Sequence, residues 1–247
     1  MPIPAWIKDP ILRRLYRRIG ITYNNAGLPF AMSKYLRQDE PVTLIDVGAR
    51  TGDFAQVIEK YCGIKRALLV EPQPDHAALL RKTFPVPRFD VAQCALSDRP
   101  GTMELEINEF DATTSILKTR RDLPEMARFD VSVARRVPCE LQTLDALTRQ
   151  YKIGPVDLLK VDVQGAERLV FDGAAETLPS VKMVWCEVSF RPLYDGSSLF
   201  GDIYEQMMAA GFGLFELEAG YRTLEGELLQ ADALFIRREL TPKGRNS

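Results

Sequence analysis

The fold is decided by the stretch Leu44-Ile45-Asp46-Val47-Gly48-Ala49-Arg50-Thr51-Gly52-Asp53-Phe54. It reads as an apolar strand, a glycine-containing turn and the start of a helix. In a parallel α/β sheet, such a turn places backbone N–H groups and a helix N-terminus beyond the carboxyl end of the strand. Gly48 permits a positive φ there, and Gly52 permits close passage of the helix start past a ligand. The stretch therefore predicts a binding site for a polar ligand.

The spacing of the glycines narrows the class of ligand. A dinucleotide-binding turn reads G-x-G-x-x-G, whereas this chain has Arg50 and Asp53 where the second and third glycines belong. Side chains at those positions would meet a pyrophosphate, which disfavours an NAD-dependent oxidoreductase. The spacing suits a smaller adenosyl ligand, with Asp46 available to the ligand's ammonium group directly or through water.

Apolar runs alternate with helical patterns from Val42 onward, which predicts a doubly wound α/β sheet. The predicted strands run from Val42 to Val47, Ala67 to Val70, Phe89 to Ala95, Met103 to Ile107, Val156 to Val163, Met183 to Val188, Leu214 to Leu217 and Ala233 to Ile236. The predicted helices cover about Gly52 to Tyr61, Asp75 to Thr83, Gly165 to Phe171 and Ser198 to Ala210.

Helix boundaries and the mid-chain segment give further expectations. Ser198 is a suitable N-cap, and Gly173 and Gly211 are predicted left-handed helix stops. Between Asn108 and Arg136 the apolar periodicity fades and charges accumulate. This segment is predicted to be a long loop over the strand ends, with one short helix around Pro124 to Arg128.

Composition excludes several classes of protein. The 247 residues are 46% hydrophobic and 27% charged, as in soluble globular proteins, and the net charge of -2 gives no reason to expect nucleic acid as a partner. The single histidine, His76, rules out zinc sites that need a histidine pair and is expected to be structural or exposed. The four cysteines form no C-x-x-C pair, and three are expected to be core thiols. With no long apolar run and no secretory signal, the sequence predicts a cytoplasmic protein.

Three segments are predicted: a helical extension over residues 1–40, one domain over 41–240 and a disordered tail over 241–247. In the extension, Asp9-Pro10 marks a helix start, and an isoleucine and leucine stripe lies opposite four arginines. Three roles for this helix stay open: docking on the domain with solvated arginines, peripheral contact with an anionic membrane, or a cover over a substrate cleft.

A carboxylate follows the second predicted strand. Glu71, which precedes Pro72, lies 25 positions after Asp46 in sequence. At the end of the second strand of a parallel sheet, it would stand beside the first glycine turn and could accept both hydroxyls of a ribose. The alternative is a solvated glutamate at a strand end.

Together these residues resemble the nucleotide-binding half of class I S-adenosylmethionine-dependent methyltransferases, and the remainder is similar to the FkbM family of O-methyltransferases. The matching stretches are Leu44 to Phe54, Val70 to Pro72, Ala95 to Ser97, Leu159 to Glu167, Glu187 to Tyr194 and Gln230 to Phe235. The resemblance implies a seven-stranded sheet with an antiparallel last strand, S-adenosylmethionine as donor, and a hydroxyl acceptor on a sugar, glycan precursor or secondary metabolite. The predicted donor-binding residues are Asp46, Gly48, Ala49, Arg50, Gly52, Phe54, Glu71, Pro72, Ala95, Leu96, Ser115 and Asp162.

Carboxylates at neighbouring strand ends are the candidates for acceptor activation. Asp162 and Glu187 are predicted to be catalytic, as a base of raised pKa or as ligands of Mg²⁺, although a helix cap and an ion pair are the structural alternatives. Lys160 lies on the same strand face as Asp162, which predicts a buried ion pair with Asp162 or Glu187. The predicted substrate-binding residues are Gln164, Glu167, Arg191 and Tyr194. Asp232 is open to either an anchoring or a substrate-facing role.

Two other functions remain alternatives at this point. One keeps the fold and transfers the methyl group to nitrogen, on a small amine or a protein side chain. The other is a non-catalytic adenosyl-binding scaffold attached to a membrane.

Overall fold

A computed structural model of the protein describes Leu28 and residues 32–240. The strands in this part of the chain are β1 (Val42–Val47), β2 (Ile64–Val70), β3 (Phe89–Ala92), β4 (Ala95–Leu96), β5 (Gly101–Asn108), β6 (Val133–Gln142), β7 (Val156–Val161), β8 (Val181–Ser189), β9 (Phe212–Ala219) and β10 (Gln230–Arg237). The α-helices are α1 (Asp53–Tyr61), α2 (Pro74–Thr83), α3 (Leu144–Gln150), α4 (Glu167–Asp172) and α5 (Phe200–Ala209).

The main sheet has seven strands in the order β3-β2-β1-β7-β8-β10-β9. β10 runs antiparallel to both of its neighbours, while the other adjacent strands pair in parallel. The predicted seven-stranded sheet with an antiparallel last strand is therefore confirmed. The strand order reverses between β1 and β7, and ligands bind at such a switch point in open α/β sheets.

Helices cover both faces of this sheet, which explains the continuously apolar strands. Each residue of β1 is buried, and its four apolar side chains are divided between two core clusters on the two faces. One cluster includes apolar residues of α3, α4 and α5, and the other includes residues of α1 and α2. All four cysteines are free and buried, in agreement with the expected core thiols.

A second sheet of three strands, in the order β4-β6-β5, was not predicted. The expectation of a loop from Asn108 to Arg136 is wrong at its end, because β6 begins at Val133. In β6, Val137, Cys139 and Leu141 alternate with polar or proline residues, but the adjacent arginines and a proline within the strand obscure this signal. The predicted strand from Phe89 to Ala95 is in fact divided, with β3 in the main sheet and β4 in the small one.

Several helices and helix boundaries differ from those predicted from the sequence. The short helix Pro124–Arg128 is present as a 3₁₀ helix, whereas α3 was missed. Gly173 follows α4 with φ −85, so the predicted left-handed stop is wrong there. A Cβ at this position would lie 2.3 Å from the Ser97 carbonyl oxygen, so close packing requires the glycine. Leu199 rather than Ser198 is the N-cap of α5.

The predicted N-terminal helix that starts at Asp9-Pro10 and the predicted tail 241–247 lie outside the described residues. From the predicted extension, Leu28, Met32 and Leu36 are buried in the core cluster that includes residues of α1. Among the residues that the structure describes, no helix is long and apolar enough to cross a membrane.

Candidate active site

A cavity of about 480 Å³ opens at the carboxyl ends of β1, β2 and β7. Its volume is in the range typical of small-molecule sites. The loop after β5 closes one side through Asp111 to Ile116. Ten of the twelve predicted donor-binding residues line this cavity: Gly48, Ala49, Arg50, Phe54, Glu71, Pro72, Ala95, Leu96, Ser115 and Asp162. The other two, Asp46 and Gly52, lie behind the lining.

The turn after β1 is fixed by steric and backbone constraints. Gly48 has φ +74, and a Cβ added to it would lie 1.9 Å from the carbonyl oxygen of Asp162. Gly52 has φ +82, and its Cβ would meet the Phe84 ring at 2.4 Å. Arg50 adopts φ 46 between them. The positive φ predicted at Gly48 is therefore present, whereas the close approach at Gly52 is to the Phe84 ring and not to the cavity.

Glu71 stands on the cavity wall with its carboxylate bound to the main chain. Its two oxygens accept the N–H of Arg50 and the N–H of Gln73, each at 2.8 Å. The side chain is only 3% exposed, and burial raises its pKa to about 7 despite these hydrogen bonds. The carboxylate therefore has a fixed orientation, and its remaining lone pairs are available to a ligand.

Lys160 links β1, β7 and the first turn through one buried ammonium group. Its Nζ donates to the Gly48 carbonyl at 2.8 Å and lies 3.4 Å from carboxylate oxygens of both Asp46 and Asp162. The Coulombic attraction of these two carboxylates outweighs burial and keeps the pKa of Lys160 above its usual value. The predicted ion pair with Asp162 is present, and Asp46 is a second partner that the sequence did not reveal. Asp46 is fully buried, and burial raises its pKa.

Asp162 and Glu187 are joined by an amide. Gln164 adopts φ 57, and its Nε2 donates to both carboxylates at 2.9 Å. The hydroxyl of Tyr194 donates to Gln164 Oε1 at 3.0 Å, and Gln230 donates to Glu187 at 2.9 Å. Glu187 and Tyr194 therefore stand behind the cavity, whereas Lys160, Asp162 and Gln164 line it.

Two of the predicted substrate-binding residues have other partners. Glu167 is buried and accepts the N–H groups of Val163 and Gly165, each at 3.1 Å, so it holds the turn before α4. Arg191 pairs with Glu125 and Glu227. Neither Glu167 nor Arg191 is among the residues that line the cavity.

Sequence reasoning gave no site role to Gln73, Asp111 and Trp185, and it left Asp232 open, yet all four line the cavity. Asp111 accepts a hydrogen bond from Arg50 at 2.7 Å and lies 3.0 Å from Nε2 of His76. Asp111 begins the polar run Asp111 to Ser115, in which only Ser115 was predicted to bind the donor. His76 is partly buried beside this carboxylate, which agrees with the expected structural role.

In the part of the chain that the structure describes, no group of three or more metal-ligating side chains is arranged to hold an ion. The candidate Mg²⁺ ligands Asp162 and Glu187 instead share the Gln164 amide.

The residues around this cavity belong to a region that matches a known protein family. Residues 46–223 match the methyltransferase FkbM domain. The chain belongs to the FkbM methyltransferase family, and it is a methyltransferase. The family match covers the last two residues of β1 and all of β2, β7 and β8.

Three relatives illustrate the match. The chain is 27% identical to 2-O-methyltransferase NoeI of Sinorhizobium fredii (strain NBRC 101917 / NGR234), over 93% of this chain and 98% of that protein. The crystal structure of methyltransferase FkbM from Methylobacillus flagellatus KT is 13% identical with a TM-score of 0.55 over 93% of this chain, which shows the shared fold. This chain spans about half of that protein, since it covers 50% of its length. Magnesium protoporphyrin IX methyltransferase from Synechocystis PCC 6803, solved with bound S-adenosylmethionine, is 7% identical with a TM-score of 0.48, over 94% of this chain and 93% of that chain.

Proposed function

We propose that this FkbM-family enzyme transfers the methyl group of S-adenosylmethionine to a hydroxyl oxygen of a sugar, glycan precursor or secondary metabolite. The observation that carries the proposal is the Glu71 carboxylate, held by two backbone N–H groups on the wall of a cavity at the switch point of the sheet. A carboxylate fixed in this way is a suitable acceptor for the two hydroxyls of a ribose.

The other walls suit the remaining parts of the donor. Ala95, Leu96 and Leu105 offer an apolar surface for an adenine ring. Gly48 and Ala49 bring the main chain to the cavity, and the absence of a side chain at Gly48 lets this turn lie against the Asp162 carbonyl. The donor supplies an activated methyl group on a sulfonium, so the protein's task is mainly to hold two reactants in contact.

The acceptor is expected on the side of the cavity formed by β7, β8 and β10. Lys160 has three N–H bonds and three oxygens around it, so we infer that it positions Gly48 and Asp162 rather than donating to the acceptor. Asp162 already accepts from Gln164 and pairs with Lys160, which supports an orienting role. An oxygen acceptor is supported by the 2-O-methyltransferase among the relatives.

Calorimetry with S-adenosylmethionine tests the donor assignment, and we expect saturable binding of one equivalent per chain. Turnover is tested with methyl glycosides and their 2-amino-2-deoxy counterparts, by mass spectrometry of the methylated product and of S-adenosylhomocysteine. We expect transfer to the hydroxyl compounds and none to the added amine. Methylation confined to the amines would contradict the proposal, and repeating the assay with EDTA tests the predicted involvement of Mg²⁺.

A further inference from the structure

Asp232 differs from the other acidic side chains that line the cavity. Five acidic residues contribute to the lining: Asp53, Glu71, Asp111, Asp162 and Asp232. The first four each accept a hydrogen bond from another group of the protein. Among the described residues, the Asp232 side chain has neither a hydrogen-bond partner nor an ion-pair partner. Its carboxylate is therefore free to bind a group that enters the cavity.

The sheet places Asp232 opposite the polar end of β7. Asp232 of β10 pairs with Glu187 of β8. On the other side of β8, Cys186 pairs with Val161 of β7, so the residues that follow them, Glu187 and Asp162, lie at the same level of the sheet. Two strand spacings, about 10 Å, thus separate the main chains of Asp162 and Asp232. Both side chains line one cavity, so the gap between them can hold an acceptor hydroxyl.

The surroundings of Asp232 favour a carboxyl that can take up a proton. Trp185 lies on β8, between Lys160 of β7 and the backbone of β10, and it lines the cavity. Burial and the negative charges of Asp162 and Glu218 raise the pKa of Asp232 to about 7, and Lys160 opposes this shift. A general base is most effective when its pKa is near the working pH.

We propose that Asp232 is the general base that receives the proton of the acceptor hydroxyl. This inference rests on the proposed O-methyl transfer and adds the residue that activates the acceptor. The hydroxyl proton passes to a carboxylate oxygen of Asp232 while the acceptor oxygen forms a bond to the methyl carbon. The carbon–sulfur bond of the donor breaks and its electron pair stays on sulfur. The products are a methyl ether, S-adenosylhomocysteine and a protonated Asp232, which returns its proton to water.

The test compares Asp232→Asn and Asp232→Ala with the wild-type chain, using a methyl glycoside as the acceptor. We expect Asp232→Asn to lower kcat by about 10²- to 10⁴-fold, the range of general-base catalysis, with donor affinity by calorimetry within twofold. Added sodium formate is expected to restore part of the activity of Asp232→Ala, because formate can enter the vacated space and accept the proton. A residue that only stabilises the fold would show no such rescue.

Glu216→Gln is the matched control, because Glu216 lies on the neighbouring strand β9, opposite Leu234, and does not line the cavity. It is expected to retain kcat within about twofold. Asp232→Asn with kcat within threefold of wild type, or Asp232→Ala that formate fails to activate, overturns the role of Asp232. If the wild-type chain itself methylates none of the glycosides, the proposed function fails first and this inference fails with it.

Discussion

The carboxylate at the end of β2 is held by the main chain, whereas those at the ends of β7 and β8 are held by side chains. Glu71 accepts two backbone N–H groups from the first turn and from its own strand end. Glu187 depends on the amides of Gln164 and Gln230, which come from a different turn and a different strand. We call the ends of β1 and β2 the donor half, and the ends of β7 and β8 with the start of β10 the acceptor half.

This difference determines how each half of the site responds to substitutions of its side chains. A site built from main-chain groups tolerates many changes of side chain, provided that the glycine positions and the strand ends are kept. A site built from side chains changes with each substitution, which suits the part of a methyltransferase that selects its acceptor. Lys160 connects the two halves, because it contacts Gly48 and Asp46 on one side and Asp162 on the other.

The largest effect is expected from breaking this connection with Lys160→Met. Removal of the ammonium leaves two carboxylates, one of them fully buried, without their counter-ion. We expect the free energy of unfolding to fall by about 3–5 kcal/mol in chemical denaturation. The control is Lys182→Met, which removes an exposed lysine paired with Asp157 and is expected to cost less than about 1 kcal/mol. Equal losses in the two variants would show that the buried ion pairs do not join the two halves energetically.

The next effect concerns the steric fit between the halves. Gly48→Ala places a Cβ against the Asp162 carbonyl at a positive φ, so we expect a loss of roughly 2–4 kcal/mol in stability. Gly63→Ala is a matched control, because Gly63 has φ +82 but its Cβ would approach nothing closer than 3.6 Å. That control carries only the conformational cost, about 1–2 kcal/mol. Thermal and chemical unfolding of both variants measure the difference, and a Gly48→Ala loss no larger than the control contradicts the close approach.

The same contrast explains how much the sequence could predict. Gly48 and Glu71 end consecutive parallel strands, so their proximity follows from the β-α-β pattern alone. Asp232 lies on the last strand, which enters the sheet between β8 and β9, and its neighbours depend on that insertion. The sequence therefore could not decide between an anchoring and a substrate-facing role for Asp232.

Contacts inside the acceptor half were predicted less well for a physical reason. Glu167 follows Asp162 closely in sequence, but the positive φ of Gln164 and Gly165 turns its carboxylate back onto the N–H groups of Val163 and Gly165. Spacing along the chain cannot show such a reversal. The apolar alternation of β6 is short and contains Pro138, a residue that argues against a strand, so β6 was not predicted.

Donor affinity should respond to a change that removes the charge of Glu71 alone. Glu71→Gln replaces an oxygen that accepts a backbone N–H and weakens the acceptor proposed for ribose. We expect the Kd for S-adenosylmethionine to rise by about 5- to 150-fold, which corresponds to 1–3 kcal/mol for hydrogen bonds to a charged group. Glu59→Gln is the control, because Glu59 also accepts a backbone N–H, from Ile64 at 2.7 Å, but does not line the cavity. An unchanged Kd in Glu71→Gln removes Glu71 from the donor half.

The smallest effect is the pH dependence of donor binding. Since the pKa of Glu71 is raised to about 7, the ionised fraction of this carboxyl grows about tenfold between pH 6 and pH 8. Donor affinity is expected to rise by at most this factor over that interval, because the ionised form is the better acceptor.

The free energy of unfolding should change with pH in the opposite direction. Glu71, Glu167 and Asp232 all have their pKa raised to about 7, so the native state binds more protons than the unfolded chain between about pH 4.5 and 7. The free energy of unfolding therefore falls as pH rises through this window.

Calorimetry at several pH values, on the wild-type chain and on Glu71→Gln, separates the titration of Glu71 from that of the donor's own amino group. The donor titrates equally with both proteins, so only the part of the pH dependence that disappears in the variant belongs to Glu71. If the two proteins show the same slope, the carboxyl does not change its charge in this range, and the fixed geometry of Glu71, rather than its ionisation, determines donor binding.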